Sequence, residues 1–454
     1  MSTLQRFLHG ACSRINSIGS TSKITICVGN EAADLDSIMS ALSIAYVQEN
    51  MQRKGIDADR IYVPVVAVPR NILKLRSEAE ILLDMVGVTS DDLICMEDLD
   101  IVALSESSRL HSFILTDHNK LSKDITNLLI NNNDEYNNVE MIFDHHKDLN
   151  AYPNVKGDKY RRIAFDEVTN KATAGSACTL ISEYITELTQ DPENNTNFQD
   201  ISILLQGVIC IDTQNMSSMS VGTERDQIAL NNLKQYISNK VDRNHCFNLL
   251  RNAKYNSSFW ESLTSKECFF IDYKSFLQRN GTKDIDVGVA SILLPLEKLV
   301  KKSTFVEDIV EYIDRPSLGS GASTSTSTST STSTSAALDI LAVMSSVIEP
   351  VHKKEILIAT YNEERLDGLV QFLNASESDL GLTNLELDFE SEIENSNTMN
   401  NKIIVPGGRI LHLRWFNVGN LKASRKQFAP LVNNFYDSLP IQAEEAEEEV
   451  ETEK

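Results

Sequence analysis

No stretch of this 454-residue chain approaches the eighteen or so apolar residues of a membrane-spanning helix, so the sequence predicts a soluble protein with no membrane partner. Cysteine is sparse as well. Cys12, Cys27, Cys95, Cys178, Cys210, Cys246 and Cys268 are scattered, with no Cys-x-x-Cys pair, and they read as reduced core residues. Basic residues are outnumbered, 42 against 65 acidic ones, and a net charge of −23 argues against a nucleic-acid binder, which needs a basic surface. Part of that charge is local: the almost purely acidic stretch Glu444 to Glu453 predicts a disordered tail. No internal repeat of the solenoid kind is visible. What the chain does have is length for more than one domain and 41% hydrophobic residues to build sizeable cores.

It also has four polar clusters, each directly after an apolar run. Ile24, Ile26 and Val28 precede Asn30, Asp34 and Asp36; Phe113 to Leu115 precede Asp117, His118 and Asn119; Met141 to Phe143 precede Asp144, His145 and His146; Val208 to Ile211 precede Asp212. Short apolar runs bounded by polar residues predict buried strands. If the strands are parallel, all four clusters emerge at one sheet edge, where open α/β sheets bind ligands. A helix is expected from Asp36-Ser37 through Met39, Leu42 and Tyr46.

Asp34, Asp36, Asp117 and Asp212 with the imidazole of His145 form a hard, oxygen-rich donor set suited to Mg2+ or Mn2+. Four carboxylates crowded together repel one another, and two divalent cations about 3.5–4 Å apart would offset that charge and clamp a phosphoryl group. Taken singly, each cluster also reads as ordinary turn and N-cap chemistry; the four together favour metal.

The order Asn-x-x-x-Asp-x-Asp, Asp-His-Asn, Asp-His-His-Lys-Asp and a later Asp resembles the DHH phosphoesterase superfamily, in the branch of class II inorganic pyrophosphatases, fungal exopolyphosphatases and prune proteins. The resemblance spans nearly the whole chain. Asn30 stands where the pyrophosphatases carry His, as in the exopolyphosphatase and prune groups. The resemblance implies an α/β protein: an N-terminal doubly wound, mainly parallel DHH domain over 1–250 and a smaller C-terminal DHH-associated domain with a mixed sheet over 251–440, followed by the 441–454 tail. It further implies that Asn30 and Asp34 face one metal, that Asp36, His145 and Asp212 face the other, and that Asp117 bridges them. His146 would point at phosphate and Asp144 would orient the histidines. From the residues alone, the directions of His145 and His146, just past a strand, stay open. An amide oxygen at Asn30 would harden the first site, letting Mg2+ compete better against Mn2+.

In the second half, Asp272-Tyr273-Lys274-Ser275-Phe276 resembles the opening strand of the DHH-associated domain, with Val287 to Ile292 as another strand. Ala423-Ser424-Arg425-Lys426-Gln427 resembles its Ser-Arg-Lys signature. Lys274, Arg425 and Lys426 are therefore the expected phosphate-binding residues, since an Arg fork grips phosphate bidentately and Lys adds a point charge. His118, Lys147, Arg161, Arg162 and His412 are weaker candidates, the two arginines being expected as surface charges. Gly175-Ser176 precedes an apolar helix at Ala177 to Leu188, a weak anion-site signal on its own. The Ser-Thr repeat from Ser323 to Ser335, within an insertion at 317–337, reads as a flexible loop, and Asn131 to Asn138 and Asn194 to Asn197 as loop expansions. A hinge is expected near Lys254 to Ser258, before a strand at Phe269.

Together these features predict an exopolyphosphatase using two Mg2+ or Mn2+ ions to release orthophosphate from the ends of inorganic polyphosphate. Alternatives are an inorganic pyrophosphatase, a prune-like cyclic-nucleotide or short-chain phosphohydrolase, and an inactive scaffold. No aromatic stacking signature marks a nucleobase pocket, and every expected metal-ligand position is filled. A monomer in the cytoplasm is expected. The segment Met1 to Lys23, with Arg6, Arg14 and no acidic residue, offers the mitochondrial matrix as the alternative compartment.

Overall fold

In the computed structural model the chain forms two compact units, one over residues 1–256 and one taking up the chain at Ser257. The structure describes all residues except 18–20, 53–59, 130–137, 190–197, 218–221, 239–240, 281–282, 315–337, 349–350, 376–379, 388–397, 400, 406–407 and 440–454. The Ser-Thr repeat, nearly all of both Asn-rich stretches and the acidic tail lie outside the described residues.

The first unit is built on six strands: β1 (Lys23–Val28), β2 (Arg60–Val66), β3 (Ile94–Cys95), β4 (Leu110–Thr116), β5 (Val139–Asp144) and β6 (Arg161–Ile163). Their spatial order is β3-β2-β1-β4-β5-β6, and every pairing is parallel. A small antiparallel ladder of β7 (Phe165–Asp166) and β8 (Lys171–Ala172) follows. The direction of winding reverses between β1 and β4, which opens a crevice outside their carboxyl ends. β1 is buried from Ile24 to Val28 on both faces, as a parallel strand covered by helices must be. Its core partners include Val63, Phe113, Leu115 and Ile142 from the neighbouring strands.

The expected helix after Asp34 runs over Leu35–Gln52. Asp34 caps it, its Oδ1 accepting the Ser37 amide at 3.0 Å. Helix and strand lie so close that a Cβ on Gly29 would fall 2.5 Å from Ser37 Cβ and 2.7 Å from Ser37 O, so only glycine fits between them. The helix expected at Ala177 to Leu188 is also present, capped by Ser176.

Two expectations are corrected. Val208 to Ile211 is not a strand but the last turn of the Gln199–Asp212 helix, which is buried continuously from Ile201 to Ile211. A helix buried on all sides loses its amphipathic period, and its apolar stretch then looks like a core strand. Likewise Phe269 lies in the helix Ser265–Ile271, whose start carries a capping box between Thr264 and Glu267.

The second unit has a mixed sheet: β9 (Tyr273–Asn280), β10 (Lys283–Ile292), β11 (Ile340–Val347), β12 (Lys353–Thr360), β13 (Leu382–Asn384), β14 (Thr398–Met399), β15 (Lys402–Ile404) and β16 (Ile410–Val418). The order is β14-β15-β16-β12-β11-β10-β9, with β13 also on β16, and among the described residues only β10 and β11 pair in parallel. The protein is thus α/β, a parallel sheet followed by a mixed one. All seven cysteines are free thiols; six are buried and Cys12 is exposed. Among the described residues no helix is long and apolar enough to cross a membrane.

Candidate metal centre

Three of the four predicted clusters leave the carboxyl ends of β1, β4 and β5 beside the crevice, and the fourth reaches them from a helix end. Asp117 lies at their focus. It ends β4 in the left-handed conformation, φ 59°, which Asp tolerates better than bulkier residues. Its amide donates to Phe143 O at 2.8 Å, joining β4 to β5. Its Oδ2 accepts from Asn30 Nδ2 at 2.7 Å and Ser37 Oγ at 2.8 Å. Its Oδ1 lies 3.3 Å from His145 Nε2 and 3.6 Å from His146 Nδ1. Asp117, His145 and His146 offer ligand atoms that all fall within 4.8 Å of one another, a set that could hold a divalent cation.

The two histidines are oriented differently, a point the sequence left open. His145 Nδ1 lies 3.1 Å from the carbonyl of Ala174, an acceptor only, so Nδ1 carries a hydrogen and Nε2, which faces Asp117, is the ring atom left for a cation. His146 Nδ1 instead meets Asp144 Oδ1 at 2.8 Å. Asp144 is fully buried; it also accepts the His146 amide at 3.1 Å and Asn119 Nδ2 at 2.6 Å. Burial lowers His146 to about 4, against the pull of Asp144. For Asp144 burial works upward, but the neighbouring imidazoles bring it down to about 2, so at neutral pH the pair is carboxylate and neutral imidazole.

Asp36 is buried, and both its oxygens are taken by the start of the Ala177–Leu188 helix: Ser176 Oγ at 2.8 Å, Ala177 N at 2.7 Å and Cys178 N at 3.0 Å. The anion at that helix start is thus a carboxylate of the protein itself. Burial and then the charge of Asp117 push Asp36 up to about 7. Asp212 is raised well above the carboxylate range, by burial and then by Asp36. Lys254 provides a counter-charge. Burial opposes its protonation, yet Tyr255, Glu78, Asp212 and Asp34 hold its ammonium well above the ordinary value. Two buried carboxylates that resist ionisation beside a third are the signature of a site short of positive charge.

Asn30 presents its amide nitrogen to Asp117 while its oxygen accepts from Ala32 N at 2.9 Å, so in this arrangement the amide holds Asp117 rather than offering an oxygen to a cation. The weaker candidates are engaged elsewhere. His118 Nδ1 contacts Thr116 O, Arg161 pairs with Asp148, and the largely buried Arg162 pairs with Glu187, correcting its expected place on the surface. Lys147 offers its carbonyl to Asn119, and His412 is buried in the second unit near Glu363. In that unit, Ser424 and Gln427 open the helix Arg425–Ser438. Arg425 gives two hydrogen bonds to Asp272, at 2.5 Å to Oδ1 and 3.0 Å to its carbonyl, two residues from Lys274 at the start of β9. Lys426 follows in the first turn of that helix.

Sequence reasoning missed Asp226, and it saw Ser37 only as a helix start, Ser176 only as a weak anion signal and Lys254 only as part of a hinge. For Asp226 the Thr223-x-x-Asp226 capping signature was there to read, although its partners at Gly175 and Thr179 were not.

Residues 23–211 match the DHH family, N-terminal domain, and residues 253–435 match the DHHA2 domain. A Schizosaccharomyces pombe protein named "Putative exopolyphosphatase" is 28% identical over 67% of this chain and 74% of its own. "Exopolyphosphatase PRUNE1" of Rattus norvegicus and of Homo sapiens are each 29% identical over 63% of this chain, and the match spans about half of their length, 55%. The crystal structure of a Methanococcus jannaschii "putative family II inorganic pyrophosphatase" superposes with a TM-score of 0.50 at 17% identity, covering 91% of this chain and 99% of that one, which shows a shared fold. With both domains present in order and the Asp-His-His cluster at the carboxyl edge of the parallel sheet, the chain belongs to the DHH family of phosphoesterases, in its DHHA2-containing form.

Proposed function

We propose that this protein is an exopolyphosphatase that hydrolyses the terminal phosphoanhydride of inorganic polyphosphate at a centre of two Mg2+ or Mn2+ ions. The observation that carries the reading is the cluster around Asp117: His145 Nε2 3.3 Å from its Oδ1, Asp36 raised by burial and then by the charge of Asp117, and Asp212 raised by burial and then by Asp36. The donors fit hard cations, since they are carboxylate oxygens and imidazole nitrogen with no thiolate. When bound, two such ions would lower the pKa of a water to supply hydroxide at neutral pH and offset the charge of the phosphoryl oxygens.

The residues have separable tasks. Asp117 would be shared between the two ions, with Asp34 beside one and Asp36, His145 and Asp212 beside the other. Asn30 contributes to the first by holding Asp117 Oδ2. His146 would face the phosphate: with Nδ1–H given to Asp144, contact of Nε2 with a phosphoryl oxygen favours the doubly protonated ring, and Asp144 is its counter-ion. Lys274, Arg425 and Lys426 would balance the charge of the chain end. Arg425 has five N–H donors, of which Asp272 takes two and so sets the plane of the fork. Relatives named exopolyphosphatase support the substrate class.

Long-chain polyphosphate incubated with the protein and Mg2+, with orthophosphate counted and chain lengths resolved on a gel, tests the reading. One orthophosphate per bond and no mid-length fragments is expected. Turnover of pyrophosphate or cyclic AMP with none of polyphosphate would keep the centre and overturn the substrate.

A further inference from the structure

The segment Ala174 to Cys178 abuts all three residues assigned to the second ion. Ala174 O takes the Nδ1 hydrogen of His145; Ser176 Oγ, Ala177 N and Cys178 N hold Asp36; and a Cβ on Gly175 would fall 2.8 Å from Cγ2 of Thr213, the neighbour of Asp212. What fixes this segment is Asp226. It has no exposed surface, yet its carboxylate gathers Gly175 N at 3.0 and 2.9 Å, Thr179 Oγ1 at 2.6 Å, Thr223 N at 2.7 Å and Thr223 Oγ1 at 2.8 Å. Capping the Glu224–Leu233 helix alone would need only the Thr223 contacts, and burying a carboxylate for that purpose is costly. The remaining bonds point across to the segment that orients the ligands.

We propose that Asp226 is a positioning residue for the half of the metal centre formed by Asp36, His145 and Asp212, acting through Gly175 and Thr179. This rests on the two-metal reading above. The role demands a group that only accepts. Gly175 N reaches both carboxylate oxygens, so an Asn at 226, whichever way its amide is turned, sets an NH2 against a main-chain N–H. The segment must then shift, and with it the three ligands.

The test is Mn2+ titration calorimetry on chelator-treated protein, which counts sites without relying on turnover. Wild type should bind two Mn2+. Asp226→Asn should weaken one of them about 10- to 100-fold, the loss typical when a ligand's supporting partner is removed, and leave the other within about threefold. Thr179→Val removes a single bond to Asp226 and leaves the helix cap intact; it should weaken the same site about fivefold, and it decides the matter if Asp226→Asn does not fold. Two wild-type affinities in the variants, with only a lowered unfolding temperature, would reduce Asp226 to a helix cap, and equal weakening of both sites would overturn its assignment to one half. If wild type binds no Mn2+, the two-metal reading itself falls, and this inference with it.

Discussion

Replacing Asp117 by Asn should remove turnover while leaving the metal-free protein at least as stable. The amide fits the native contacts: its oxygen can accept from Asn30 Nδ2 and Ser37 Oγ, and its NH2 can donate to Nε2 of a neutral His145, 3.3 Å from the present Oδ1. Both of these buried donors, Asn30 Nδ2 and Ser37 Oγ, keep an acceptor, so the usual cost of about 1–3 kcal/mol does not arise for them. The substitution instead removes the charge that, after burial, contributes most to lifting Asp36 from 3.8 to about 7. One unit corresponds to about 1.4 kcal/mol, and Asp117 accounts for part of the shift, so relief of about 1 kcal/mol is expected near pH 8. With metal the order inverts. Wild type should gain about 3 kcal/mol at a hundredfold excess of ion over its dissociation constant, and the variant most of that less. Turnover should fall by about 10³-fold or more, some 4 kcal/mol of barrier. The assay pairs orthophosphate release with denaturant unfolding in chelator and in millimolar Mg2+. A variant that keeps a tenth of the activity, or loses more than about 2 kcal/mol in chelator, would refute the reasoning by making Asp117 dispensable or a structural pillar.

Other perturbations follow the same lines. Asp36 and Asp212 have folded pKa values above those of unfolded carboxylates, near 3.9, so the contribution of Asp36 is full below about pH 4 and lost as pH rises through about 7, and that of Asp212 declines in the same direction. His146, lowered to about 4, works the other way up to about pH 6.5, so the metal-free protein should lose stability mainly near pH 7 and saturating Mg2+ should restore most of it; thermal unfolding curves in chelator that do not differ in pH dependence from those in Mg2+ would contradict this. Asp144→Ala strands three donors in a fully buried place, from Asn119 and His146, so it should cost about 2–3 kcal/mol of stability as well as turnover, measured by urea unfolding beside activity. Asp272→Asn keeps the carbonyl contact but weakens the hold on Arg425, and KM for polyphosphate should rise about three- to tenfold with a smaller change in kcat; an unchanged KM would remove Arg425 from the binding site.

Three strand ends were legible because a parallel sheet buried on both faces writes itself as continuous apolar runs, and chemistry at its carboxyl edge must follow those runs directly. Asp212 was found for the wrong structural reason: the Gln199–Asp212 helix is buried throughout, and its last turn imitates a strand. The capping box of Thr264 and Glu267 could have identified the helix at Phe269. Hydrogen bonds between distant residues left no such trace. Asp36 is held by Ser176 to Cys178, some 140 residues away, and Asp226 reaches Gly175 across 51. Lys254 stood in the sequence as part of a hinge, with nothing there to show that its ammonium is held by Tyr255, Glu78, Asp212 and Asp34.

The central claim is a two-ion centre focused on Asp117, and anomalous diffraction from crystals soaked in Mn2+ tests it most directly. The account predicts two peaks about 3.5–4 Å apart with Asp117 between them and His145 Nε2 on one. A single peak, or peaks away from Asp117, would contradict it.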